Sequence, residues 1–124
     1  MAGNAKVLVV EDDPFLLKVY QSKLKDTSYQ CEFAGDGEEG LAKIKSFQPQ
    51  VVLLDLVMPK LDGFGVLAAV KSDPTLTQAA ILVLTNLSQP EDRDKCLQLG
   101  AKEYMVKSDV SIQDILAKIQ QYAV

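Results

Sequence analysis

Lys6-Val7-Leu8-Val9-Val10-Glu11-Asp12-Asp13-Pro14 passes from a short apolar run into three consecutive carboxylates and then a proline. An apolar run of this length, stopped by polar residues, suits a strand buried on both faces, as in a parallel sheet covered by helices. Asp13-Pro14 reads as a helix start. The aspartate can accept from the free N–H groups of the first turn, and proline, with its fixed φ and no N–H, fits the first helical position. A buried strand that runs into a helix, with acids at the junction, is the unit from which the rest of the chain is read.

Val51 to Leu54 and Ala80 to Leu84 are two more runs of the same kind, while Tyr29 to Ala34 and Glu103 to Val106 are weaker strand candidates placed by their spacing. Between them lie helical patterns. The first runs from Pro14 to about Lys25. Leu41, Ile44 and Phe47 form the apolar stripe of a second. Phe64, Leu67 and Val70 or Lys71 mark a third that stops before Asp73-Pro74. Ser88-x-x-Glu91 is a capping-box pattern for a fourth helix with a polar first half, and Gly100 is placed to end it in a left-handed conformation. Ile112, Ile115, Leu116, Ile119 and Tyr122 follow Ser111 at helical spacing and give a fifth. Five strand-helix alternations imply an α/β three-layer sandwich, with a parallel five-stranded sheet and right-handed crossovers. We expect one domain over residues 1–124, since no repeat, linker or composition shift interrupts the pattern.

The chain is 48% hydrophobic and 24% charged, and no apolar run approaches the roughly 18 residues of a membrane span. Residues Met1 to Asn4 lack the features of a signal peptide, so a cytoplasmic protein without membrane insertion is expected. Cys31 and Cys96 lack C-x-x-C spacing and suit reduced, partly buried thiols. A net charge of −4 with one arginine, Arg93, argues against direct nucleic-acid binding. Without histidine, Ser-His and Cys-His chemistry is excluded, leaving carboxylates, hydroxyls, lysines and metal.

In open parallel sheets functional groups gather beyond the carboxyl ends of the strands. The first strand ends in Glu11-Asp12-Asp13, the third in Asp55, the fourth in Thr85-Asn86 and the fifth in Lys107. Taken singly, each has an ordinary structural reading: a cap, a turn, a surface residue. Taken together, Glu11, Asp12 and Asp55 crowd like charges on adjacent strands, a conflict that a divalent cation resolves. An all-oxygen ligand set with open positions suits Mg2+, with Mn2+ as a substitute.

These stretches resemble the receiver domains of two-component response regulators over nearly the whole chain. Glu11 and Asp12 in Val7-Leu-Val-Val-Glu-Asp-Asp are similar to the acidic metal-binding pair. Asp55 in Leu53-Leu-Asp-Leu-Val-Met-Pro, followed by Asp62-Gly63, resembles the phosphoacceptor and its loop. Thr85 matches the hydroxyl that contacts the phosphoryl group, Lys107 the amine that pairs with it, and Tyr104 the aromatic switch position. The resemblance implies a flavodoxin-like fold with strand order 2-1-3-4-5. It also implies a metal held by Asp12, Asp55, Glu11 through water, and the Val57 carbonyl. It further implies phosphoryl transfer to Asp55 from a sensor histidine kinase or phosphotransfer protein. Output would leave through the face of the fourth helix, fifth strand and fifth helix, to a downstream protein or domain or to a phosphorylation-dependent homodimer. Such a protein is a phosphoacceptor that assists its own phosphorylation and dephosphorylation rather than an enzyme.

Two departures stand out. Lysine in this family is usually followed by proline, often through a cis bond; here Ser108-Asp109 follow, and cis costs about 2.5–4 kcal/mol without proline. Val57 and Leu87, placed by the resemblance beside the phosphoryl group, are both apolar, which predicts a long-lived phosphorylated state. The rival readings are weaker. A haloacid-dehalogenase-type phosphatase needs an acid two residues after its nucleophile, where this chain has Val57. A flavin carrier needs a phosphate loop where this chain has Glu11-Asp12-Asp13-Pro14. The remaining alternative is a phosphorylation-independent binding module of the same fold.

Overall fold

Strands and helices alternate in the order β1 Lys6–Val10, α1 Pro14–Lys25, β2 Gln30–Ala34, α2 Gly37–Phe47, β3 Val51–Leu54, α3 Gly63–Lys71, β4 Ala80–Thr85, α4 Pro90–Gln98, β5 Glu103–Val106 and α5 Ile112–Tyr122. The computed structural model describes residues 5–123; Met1 to Asn4, read above for a leader, and Val124 lie outside the described residues. All four strand pairings are parallel, in the order β2-β1-β3-β4-β5. This is the flavodoxin-like order expected above.

The unbroken apolar runs have a direct cause. Residues of β1, β3 and β4 alternate between two cores, one on each face of the sheet. Leu8, Val10, Val52, Leu54, Ile81 and Val83 pack with Ile44, Val66, Leu67 and Val70 of α2 and α3. Val7, Val9, Val51, Leu53, Leu82 and Leu84 pack with Tyr20, Leu24, Ile115 and Ile119 of α1 and α5. Each fully buried aliphatic side chain contributes on the order of 1.5–3 kcal/mol. Cys96 lies buried in the first core and Cys31 is half-buried; both are free thiols.

Local signals place most helix ends. Asp13 Oδ1 accepts from the backbone N–H of Phe15 at 2.9 Å, with Pro14 next to it as the first helical residue. Ser111 and Asp114 form a reciprocal capping box on α5, and Gly100 is left-handed with φ 99°. The capping box expected for α4 does not form. Gln89 is the N-cap, without a side-chain cap bond, and Pro90 takes the first helical position. Proline is preorganised for that position, so it shifts the start past Ser88 and leaves Ser88 outside the helix. Asp36, Asp62 and Asp73 also act as N-caps, the last on a 3-10 helix, Pro74–Leu76, that follows α3.

Candidate functional site

Strand register brings the acids together. Val10 lies opposite Leu54, and the ladder continues as Asp55 N–H donates to Val10 O at 3.1 Å, so the residues after β1 and β3 emerge side by side. Oxygens of Glu11, Asp12 and Asp55 lie within 4.8 Å of one another. Glu11 and Asp55 are only 3% and 7% exposed, while Asp12 faces solvent. Buried like charges need a counterion.

Lys107 supplies one. Its Nζ donates to Glu11 Oε1 at 2.7 Å and to Asp55 Oδ2 at 3.0 Å. The Ser108-Asp109 sequence forms a 3-10 helix with Lys107, no peptide bond among the described residues is cis, and the lysine reaches the pocket all the same. Burial raises the Glu11 carboxyl above its ordinary pKa, more than the Lys107 hydrogen bond lowers it. For Lys107, burial acts downward, but the hydrogen bonds and charges of Glu11 and Asp55 outweigh it and keep the ammonium protonated.

Asp55 is held on its other oxygen as well. Oδ1 accepts from the N–H of Leu56 at 2.7 Å and of Val57 at 3.4 Å. The Glu11 carboxylate is steadied by the Asp13 N–H at 3.2 Å. Asp13 itself caps α1 and stays outside the acid cluster.

Thr85, Tyr104 and Leu87 make no hydrogen bond to the three carboxylates or to Lys107. Thr85, fully buried at the end of β4, accepts the Leu87 N–H at 3.4 Å and makes no hydrogen bond to Asp55 or Lys107. Tyr104 donates its hydroxyl to Leu87 O at 2.7 Å, tying β5 to the loop that follows Thr85. Val57 is 61% exposed, whereas Leu87 packs against the core. Sequence reading missed the packing of the loop after Asp55: Gly63 N–H donates to Leu56 O at 2.9 Å, folding the loop back on the strand end. Only the Asp62-Gly63 pair signals it, as a cap followed by a residue without a side chain.

A carboxylate fixed on both oxygens, two neighbouring carboxylates and a protonated amine can bind a divalent cation and accept an electrophile such as phosphorus.

Comparison with known proteins agrees. Residues 7–120 match the family model described as the response regulator receiver domain. Among curated relatives, the probable transcriptional regulator ycf27 of Guillardia theta is 40% identical over 102 residues, 82% of this chain and 39% of its own length. The gliding motility regulatory protein of Myxococcus xanthus is 32% identical over 120 residues, 97% of this chain and 15% of its own. The chain thus spans less than half the length of these relatives. The solved structure of chemotaxis protein CheY4 of Vibrio cholerae is similar with a TM-score of 0.86 at 31% identity, over 96% of this chain and 98% of that one. The Mn(2+)-bound form of response regulator Rcp1 gives 0.79 at 28% identity, over 94% and 90%. With the family model matched along nearly its whole length, this chain belongs to the response regulator receiver domains, the phosphoaccepting switches of two-component signalling.

Proposed function

We propose that Asp55 is the phosphoacceptor, taking a phosphoryl group from a histidine kinase or phosphotransfer protein. The observation that carries this is the meeting of Glu11, Asp12 and Asp55 within 4.8 Å, with the Lys107 ammonium on two of them. Glu11, Asp12, Asp55 and the Val57 carbonyl would hold Mg2+, or Mn2+ as in the related Rcp1 structure, and the ion would supply positive charge to the phosphoryl oxygens. The chain's own groups do the rest. The backbone N–H groups of Leu56 and Val57 orient the Asp55 carboxylate for attack. Lys107 donates to the incoming phosphoryl oxygens, and Thr85 can donate its hydroxyl to another.

A Thr85 hydroxyl drawn toward the phosphoryl group pulls on the loop to α4, whose Leu87 carbonyl holds Tyr104. The signal then leaves through α4, β5 and α5, to an output domain or protein, or to a second phosphorylated copy. That many relatives are longer transcriptional regulators supports an output of that class. The apolar Val57 and Leu87 offer no hydrogen bond to a hydrolytic water, so the phosphorylated state is long-lived.

Incubation with acetyl phosphate and Mg2+, followed by intact mass, tests the reading: one phosphoryl group is gained, and none by Asp55→Asn. Asp12→Ala loses metal binding and phosphorylation together. A protein that binds Mg2+ yet stays unmodified is a phosphorylation-independent binding module instead. A Val57→Asn, Leu87→Glu double variant should lose phosphate faster; an unchanged rate assigns the lifetime to some other feature, such as the Lys107-Ser108 turn.

A further inference from the structure

We infer that Gly37, the first residue of α2 and no part of the acid pocket, is a positioning residue for the metal-binding side of that pocket. The inference rests on the reading of Asp55 and Val57 given above. The loop leaving Asp55 is pressed between two glycines. At its far end, a Cβ on Gly63 would overlap the carbonyl oxygen of Asp55 itself and lie 2.7 Å from the Leu56 Cα. On its outer side, a Cβ on Gly37 would overlap the Leu61 carbonyl oxygen and lie 2.5 Å from the Leu61 carbonyl carbon. Both obstacles are backbone, which cannot swing aside as a side chain can.

Between these contacts the loop has little freedom. Leu61 N–H donates to Pro59 O at 2.9 Å in a tight turn, and Lys60 sits in the left-handed region at φ 70°. The Lys60 ammonium lies 3.7 Å from Asp36, the residue that caps α2 immediately before Gly37. The start of α2 therefore sets how closely residues 60–63 approach the sheet, and Gly63 passes that setting to Asp55 and Leu56. A side chain at position 37 drives the Leu61 backbone outward and displaces the whole turn. Loss of a partner that orients metal ligands typically costs about 10–100-fold in metal affinity.

The test uses Gly37→Ala with Gly65→Ala as its control, because a Cβ on Gly65 meets side-chain atoms and no backbone: Leu61 Cδ1 at 2.5 Å, Leu61 Cγ at 3.1 Å and Asp62 Oδ1 at 3.6 Å. Three quantities are measured: Mg2+ affinity by calorimetry, stability to urea, and the amide signals of residues 56–63 without metal. We expect Gly37→Ala to move those signals and weaken Mg2+ binding about tenfold, while Gly65→Ala keeps the affinity of the unaltered protein. Gly37→Ala that loses stability but keeps both its affinity and its loop signals overturns the inference. Should Gly37→Ala fail to fold, the unaltered protein decides. Coupling is reciprocal, so the Gly37 amide must shift during a Mg2+ titration with the same midpoint as Val57; a Gly37 signal that stays still while Val57 moves overturns it. An unaltered protein that binds no Mg2+ sinks the reading of the acid pocket first, and this inference with it.

Discussion

Helices α4 and α5 flank the same edge strand, β5, and are anchored in opposite ways. In α5 the Ser111 hydroxyl accepts from Asp114 N–H at 3.1 Å and Asp114 accepts from Ser111 N–H at 2.9 Å. Ile115 and Ile119 are buried, and the Tyr122 hydroxyl donates to Glu103 of β5 at 2.6 Å. In α4 no side chain caps the start, and Cys96 is its one buried residue. Two lysines hold it to α3: Lys71 Nζ donates to Gln98 O at 2.6 Å, and Lys95 Nζ stands 4.4 Å from the Phe64 ring centre. Exposed contacts of this kind contribute about 0–1 kcal/mol each, well under what a buried isoleucine contributes. The helix that follows Thr85 is thus the one that costs least to move, as a responding element requires.

The two helices should differ most at their buried side chains. Ile119→Ala should cost roughly 2–5 kcal/mol in urea unfolding, from lost burial and the cavity left behind. Cys96→Ala removes less volume and should cost clearly less; equal costs would mean that α4 is anchored as firmly as α5. At the helix starts, Ser111→Ala should cost about 1 kcal/mol because Asp114 N–H loses its acceptor, while Gln89→Ala should be close to neutral.

Hydrogen exchange should separate the two helices in the unaltered protein. Amides of α4 should open locally well below the global unfolding free energy, and those around Ile115 to Ile119 only with it. With beryllofluoride as phosphoryl mimic, signals from Ser88 to Gly100 and around Tyr104 should shift most; changes confined to Asp55 and its loop would separate the anchoring difference from switching.

Tyr104 ties β5 to the loop before α4 and adds a pH dependence. Its phenol is pushed up to about 12, by burial first and then by nearby Cys96, Asp92 and Asp55. The folded state therefore holds this proton more tightly than the unfolded chain. The associated stability is fully present below pH about 10, the unperturbed tyrosine value, and is lost as pH rises through about 12. Tyr104→Phe should remove one late-titrating phenol from an absorbance titration and cost about 0.5–1.5 kcal/mol for the lost bond to Leu87.

Much of this arrangement is legible in the chain, because its signals are local. Apolar runs stopped by polar residues mark buried strands, Asp13-Pro14 and Ser111 mark helix starts, and five alternations leave few topologies. At the α4 start two local signals compete: Ser88-x-x-Glu91 spells a capping box, but Pro90, its φ fixed near the helical value, takes the first position. The 3-10 turns leave no pattern in the sequence because they are too short to show a period.

The order of elements, most of their caps and the types of group at each strand end can be read from the chain alone, since these depend on residues within a turn or two of one another. Which of these groups meet depends on the folded chain. Lys107 reaches Glu11 and Asp55 across 96 and 52 residues, and nothing local to Ser108 or Asp109 tells how far its amine extends. Register between β1 and β3 makes Glu11 the neighbour of Asp55, and the approach of α2 to the Leu61 carbonyl gives Gly37 its place. Contacts of this range are set by the packing of both cores at once, and no window of sequence contains them.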